Sequence, residues 1–194
     1  MGEAAVRVPK ERRQRDVSRA ASRTAILDAA RRVAARDGAR DLSLRGVAAE
    51  AGFAPAALYG YFRNKDELLL ALAADDLSEL ARVMRGAGGL QGAGIAALDL
   101  LRGAETMAAA SGALNGSQGG DAERLFNGRL IAALKALSDA GGMPTGNRES
   151  QCDVVLLAAS LAGLALFARS GRLDALGFTP AEMIARLEGR FRQS

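Results

Sequence analysis

Between Leu42 and Lys65 the chain reads LSLRGVAAEAGFAPAALYGYFRNK, two short helical segments parted by Ala51-Gly52-Phe53. Ser43 stands where an N-cap belongs, ahead of Leu44 to Ala51, and Val47 and Ala48 share the inward side. Gly52 makes the turn. Pro55 falls in the first turn of the second segment, where its missing N–H costs nothing. Leu58 and Phe62, four apart, form that segment's inward stripe. Such a pair is what a helix-turn-helix needs, a unit able to lay its second helix along the major groove of DNA. The second segment carries both tyrosines of the chain, and its exposed end adds Lys65. These donors suit phosphate oxygens, so the segment points to double-stranded DNA as a partner.

The charge distribution agrees. Residues 1–45 hold 12 Lys/Arg against 6 Asp/Glu, whereas residues 46–85 hold 4 against 6 and residues 86–194 hold 10 against 10. The net charge of +4 therefore comes from in and before the first helix, where it favours a polyanion through counterion release. Histidine is absent, which removes Ser-His-Asp and Cys-His nucleophiles and histidine metal sites. No catalytic residue, metal or cofactor is expected, and the chain does not read as an enzyme. The longest uncharged run, Val154 to Ala168, falls short of the ~18 to 20 residues of a membrane-spanning helix. No secretory signal pattern is seen, and the lone Cys152 fits a reducing compartment. The expectation is a cytoplasmic protein without a membrane partner, with Cys152 read as a small core residue.

Along the chain, every periodic segment is helical. Residues 1–20 lack apolar periodicity and are rich in arginine, and they are expected to form a basic, mostly disordered arm. Ser22 is placed as the cap of a first helix running to Asp37, with Ile26, Ala30, Val33 and Ala34 inward and Gly38 as its left-handed stop. Asn64 and Glu67 resemble a capping box for a helix over about 65–85. Gly86 to Gly94 (GAGGLQGAG) reads as a break, and 14 of the 23 glycines fall between Gly86 and Gly146. Helices are predicted over about 95–110 and 121–140, joined by SGALNGSQGG, in what should be the most mobile region. The helix over about 150–170 is uncharged on every side through its middle and is expected to be buried all round. Thr179-Pro180-Ala181-Glu182 starts a last helix ending near Phe191. The fold class is all-α: the arm (1–20), a three-helix helix-turn-helix domain (21–66), and a helical domain (67–194).

The residues Thr24, Ile26, Ala29-Ala30, Gly38, Val47-Ala48, Ala51-Gly52, Leu58-Tyr59, Phe62, Lys65 and Leu68 fall in an order and spacing that resembles the N-terminal domain of the TetR family of transcriptional regulators. The resemblance covers about a quarter of the chain. It implies a homodimer on a pseudo-palindromic operator, with the last two long helices pairing with their symmetry mates. Ala159 and Gly163, four apart, would allow close approach there. It also implies that the 67–194 domain binds a small-molecule effector, and repression follows by family habit.

By the same resemblance Tyr59 and Lys65 meet phosphates, with Ser43 and Thr24 as weaker phosphate candidates. Tyr61 stands where many relatives carry histidine. Ala54, Ala56 and Ala57 offer only methyl groups, which contact the thymine C5-methyl rather than making bidentate hydrogen bonds. Arg45 matches a position that reaches a base in some relatives and is the candidate for guanine. Arg7, Lys10, Arg12, Arg13, Arg15, Arg19 and Arg23 are expected to add non-specific affinity or enter a minor groove. For the effector, Leu101, Met107, Phe126, Leu130, Leu157 and Leu161 are candidate lining residues, and the scarcity of charge among them favours an apolar ligand. The rival reading is a nucleoid-type or adaptor protein that binds DNA without an effector.

Overall fold

The computed structural model describes residues 10–103, 105–114, 120–143 and 146–191, and among them every regular element is a helix. The chain divides into two compact units, one ending at Leu68 and one beginning at Leu69.

The first unit is built on α1 (Lys10–Asp37), followed by α2 (Leu44–Ala51), α3 (Pro55–Leu58) and the opening turn of α4 (Lys65–Gly86). Ile26, Leu27, Ala29, Ala30, Val33 and Ala34 line the inner side of α1 and are buried with Val47 and Ala48 of α2, Leu58 and Phe62. The Glu50 carboxylate accepts from Arg32 Nε at 2.8 Å and from Arg36 Nη1 at 3.1 Å, tying α2 to α1. Ser22 does not cap α1. The helix begins twelve residues earlier, at Lys10, and the Ser22 hydroxyl donates to the Ser18 carbonyl at 3.0 Å. No glycine or proline interrupts Lys10 to Asp37, and the Ala, Arg, Glu and Gln content sustains the helix through Ser22. The expected arm is thus helical from Lys10 to Ala20, and its residues 1–9 lie outside the described residues. Gly38, at φ +89°, ends the helix as expected. At α4 the Glu67 N–H is accepted by Asn64 Oδ1 at 2.8 Å, while the Glu67 carboxylate reaches back to the Arg63 N–H at 2.7 Å.

The second unit contains the rest of α4, then α5 (Gly89–Arg102), α6 (Glu105–Leu114), α7 (Asp121–Gly141), α8 (Arg148–Arg169), α9 (Arg172–Ala175) and α10 (Pro180–Phe191). Central to it, α5 packs against α7, α8 and α10. The glycine-rich run is a break only around Ala87-Gly88, for Gly89 to Gly94 belong to α5. Glycine is required there by close packing: a Cβ on Gly94 would lie 2.8 Å from Ile184 Cγ2 of α10. The helix expected over 95–110 is instead two, parted at Gly103, and Ser111 to Leu114 continue α6. The remainder of the SGALNGSQGG loop, residues 115–119, lies outside the described residues. The capping box at α10 forms: the Thr179 N–H donates to the Glu182 carboxylate at 2.8 Å and the Glu182 N–H to Thr179 Oγ1 at 3.3 Å.

Helix α8 is covered by its own chain on one side only. Val154, Leu157, Leu161 and Ala165 are buried within the chain, but the opposite side is open. Val155, Leu156, Leu166 and Phe167 are exposed, with Ala159 and Gly163 between them and no atom within 4 Å of a Cβ at Gly163. The helix has 22 residues and its most apolar 18-residue window has a mean hydropathy of 1.9, long and apolar enough to cross a bilayer by length and composition, although its inner side packs on α5, α7 and α10. Cys152 falls on the open side and is exposed, not a core residue.

Candidate nucleic-acid interface and apolar cavity

The helix-turn-helix is set by local chemistry. Ser43 Oγ accepts from the Gly46 N–H at 3.1 Å and starts α2. Gly52 takes the left-handed conformation (φ +71°) that side chains resist, and the Phe53 N–H returns to the Ala48 carbonyl at 2.9 Å. Pro55 then opens α3. This second helix is one turn long, so Tyr59 is its C-cap and Tyr61 lies in the turn beyond, not on the helix itself. Gly60 interrupts the helical register, and the Gly60, Tyr61 and Phe62 N–H groups close back onto the Ala57 and Leu58 carbonyls at 2.9–3.1 Å.

Ala56 and Ala57 on α3 and its N-cap Ala54 are exposed, as is Arg45 near the start of α2. Tyr59 is 58% exposed. Tyr61 is half-buried, its ring edge-on to Phe53 at 6.5 Å and beneath the Arg19 guanidinium at 5.4 Å. Thr24 is exposed on α1 and its hydroxyl donates to the Ala20 carbonyl at 3.1 Å. Lys65 is half-buried, with its ammonium on the Arg40 carbonyl, so it ties the start of α4 to the α1–α2 connection while two of its protons remain to donate. Two carboxylates flank this surface. The Arg32 guanidinium, then that of Arg36, holds Glu50 below the usual carboxylate range, and Arg63 does the same for Glu67. Arg36 in turn is held protonated by Asp37 first and Glu50 second. The residues sequence reasoning placed elsewhere are Arg19 and Arg23: they reach Tyr61 and Phe62 from α1.

Within the second unit, α4, α5, α6, α7 and α8 line a partly open cavity of about 390 Å³. Leu101, Met107, Leu130 and Leu161 are on its wall, with Leu77, Leu80 and Met84 of α4, which were not among the candidates. Phe126 and Leu157 are core residues that do not line it. Every residue on the wall is apolar. A separate, more open groove of about 660 Å³ lies among α8, α9 and α10, edged by Arg186 and Arg190 and floored by Leu164, Phe167 and Leu187. Among the described residues no cluster of His, Cys, Asp or Glu is placed to hold a metal ion.

Residues 26–72 match the family model of the bacterial regulatory proteins, tetR family. The HTH-type nicotine-responsive transcriptional repressor HdnoR of Paenarthrobacter nicotinovorans is 41% identical over 66 residues, and this match spans about a third of each protein (34% of the chain and 34% of the relative). Over most of its length the fold is that of solved regulators. A TetR transcriptional regulator from Rhodococcus sp. RHA1 gives a TM-score of 0.66 at 20% identity, covering 89% of this chain and 96% of that one. A TetR-family transcriptional regulator from Streptomyces coelicolor gives 0.58 at 22% identity, covering 89% and 96%. The matched N-terminal residues and the helix-turn-helix they build are thus similar to the tetR family of bacterial regulatory proteins over about a quarter of the chain, and along most of its length the backbone is similar to that of solved regulators.

Proposed function

We propose that the protein is a sequence-specific DNA-binding regulator of transcription, acting in the cytoplasm as a homodimer on a pseudo-palindromic operator and released by a small apolar molecule. The reading rests chiefly on α3, which presents a smooth alanine surface with the Tyr59 phenol exposed at its end. Small side chains let a helix approach the groove floor, and a phenol at its end is in place to meet a phosphate. Tyr59 and Lys65 serve phosphates, with Ser43 and Thr24 beside them, and Arg45 reads a base.

Pairing is supported by α8, whose open side is apolar from Val155 to Phe167 beside the groove floored by α10. Contiguous exposed apolar surface of this kind marks an interface. A ligand is supported by the cavity, of a size for a small molecule and without a hydrogen-bonding side chain on its wall. The cavity also weighs against an effector-independent nucleoid-type or adaptor protein. Repression agrees with the name of the curated relative. Because α4 runs from Lys65 through Leu77, Leu80 and Met84 on the cavity wall, a ligand favouring one arrangement of that helix would shift the population of binding-competent dimers.

The test is selection of bound genomic fragments followed by affinity measurement with and without candidate apolar ligands. The expected result is a two-fold sequence with half-sites about one helical turn, ~34–36 Å, apart. Uniform affinity for all duplexes would overturn the reading in favour of the effector-independent protein.

A further inference from the structure

Helix α1 runs far beyond what its core requires. From Gln14 to Ala25 no residue is buried, and Ile26 is the first buried one after them. Yet this outer stretch is what carries Arg19 to the end of α3. Arg19 Nη2 donates to the Gly60 carbonyl at 3.0 Å, and its guanidinium carbon lies 5.4 Å from the Tyr61 ring centre. One helical turn on, Arg23 lies 5.4 Å over the ring of buried Phe62. Residues four apart share a helix face, so α1 grips two successive aromatic residues with two successive guanidiniums.

The carbonyl that Arg19 takes is one that the backbone leaves over. Ala57 and Leu58 carbonyls are used by the N–H groups of Gly60, Tyr61 and Phe62, whereas the Gly60 carbonyl is met by Arg19. Carbonyls at a helix C-terminus carry partial negative charge and favour a cation. Tyr61 is at the same time edge-on to Phe53, so the turn after α3 is fastened from the α2–α3 side and from α1.

We propose that Arg19 is a positioning residue, fixing the turn after α3 so that Tyr59 and Tyr61 present their hydroxyls in the register that duplex binding needs. It acts through Gly60 and Tyr61, not as one more guanidinium on the phosphates. A planar fork that both bonds a carbonyl and stacks on a ring is not replaced by an ammonium, so lysine will not substitute. The proposal rests on the reading of α3 as the groove-facing helix.

The chain has no tryptophan, and its two tyrosines are Tyr59 and Tyr61, so tyrosine fluorescence reports on this segment alone. Arg19→Ala and Arg19→Lys, compared with the full-length protein and matched to it by circular dichroism, should both show greater quenching by acrylamide without DNA. Against a randomised duplex pool, both should lose roughly tenfold in affinity for enriched and unselected duplexes alike, with the salt slope held. Unchanged quenching in both variants would overturn the proposal. So would an Arg19→Lys that matches the wild type while Arg19→Ala loses about 0.9 in salt slope, the mark of a phosphate contact. If the wild type enriches no two-fold sequence, the groove-facing reading fails instead, and quenching alone decides whether Arg19 positions the turn.

Discussion

Tyr59 illustrates how one side chain is left for a partner. Its neighbours Leu58 and Phe62 are buried, while 58% of Tyr59 faces solvent, so its hydroxyl contributes nothing to the core. Tyr59→Phe should leave the melting temperature unchanged and weaken duplex binding roughly tenfold, the worth of one hydrogen bond to a charged group; fluorescence anisotropy with a labelled duplex checks both the loss and its sequence independence. Arg45 and Lys65 should separate more sharply. Arg45→Ala is expected to relax sequence preference in a randomised pool. Lys65→Ala should weaken all duplexes about equally and lower the salt slope by about 0.9, with a small stability cost because its ammonium also holds the Arg40 carbonyl. Identical behaviour of the two across the pool would refute this division.

At the scale of elements, two contacts have definite consequences. A methyl at Gly94 would meet Ile184 Cγ2 at 2.8 Å. Alanine gains about 1 kcal/mol of helix propensity there, but overpacking costs about 1–3 kcal/mol, so Gly94→Ala should lower stability in denaturant titration. Glu50 bridges α2 to Arg32 and Arg36 of α1, and its folded pKa is lowered by them, Arg32 first. A depressed carboxylate contributes stability above its ordinary value, and that contribution disappears as pH falls through the lowered one. Glu50→Gln should therefore melt below the wild type at neutral pH, and the gap should close on acidification past the usual glutamate range; a gap constant with pH would disprove the linkage. The first unit was legible because its signals are local: Ser43, Gly52, Pro55 and Gly38 each dictate a backbone conformation within four residues. The start of α1 was not. A cap such as Ser22 is worth about 1 kcal/mol, which the summed propensity of an unbroken run of helix formers overrides. Glycines in α5 were misread because a glycine that permits close packing looks, in sequence, the same as one that breaks a helix. The α4 wall of the cavity was missed for a similar reason: apolar residues beside a void keep the spacing of those that fill a core.

For the whole molecule, the decisive surface is the open side of α8. Leu156 is 58% exposed and Phe167 46% exposed, so an acidic residue there costs a lone chain little. Leu156→Glu should keep the helical signal in circular dichroism yet sediment as a monomer and bind operator weakly, whereas a wild type that itself sediments as a monomer would remove the dimer from the proposal. The sequence pointed to pairing here but left open which residues the chain itself covers, because α8 is apolar on two opposite sides, one satisfied within the chain by Val154, Leu157, Leu161 and Ala165. Composition reports the total greasiness of a helix without saying which molecule covers it. If the proposed dimer forms, a newly made subunit that has not met its counterpart wears that uncovered strip on its outside, where chaperones and proteases recognise such surface. Since association stabilises by mass action, scarce protein should turn over quickly and abundant protein should persist, giving the cell a sharper threshold in copy number than synthesis alone would set.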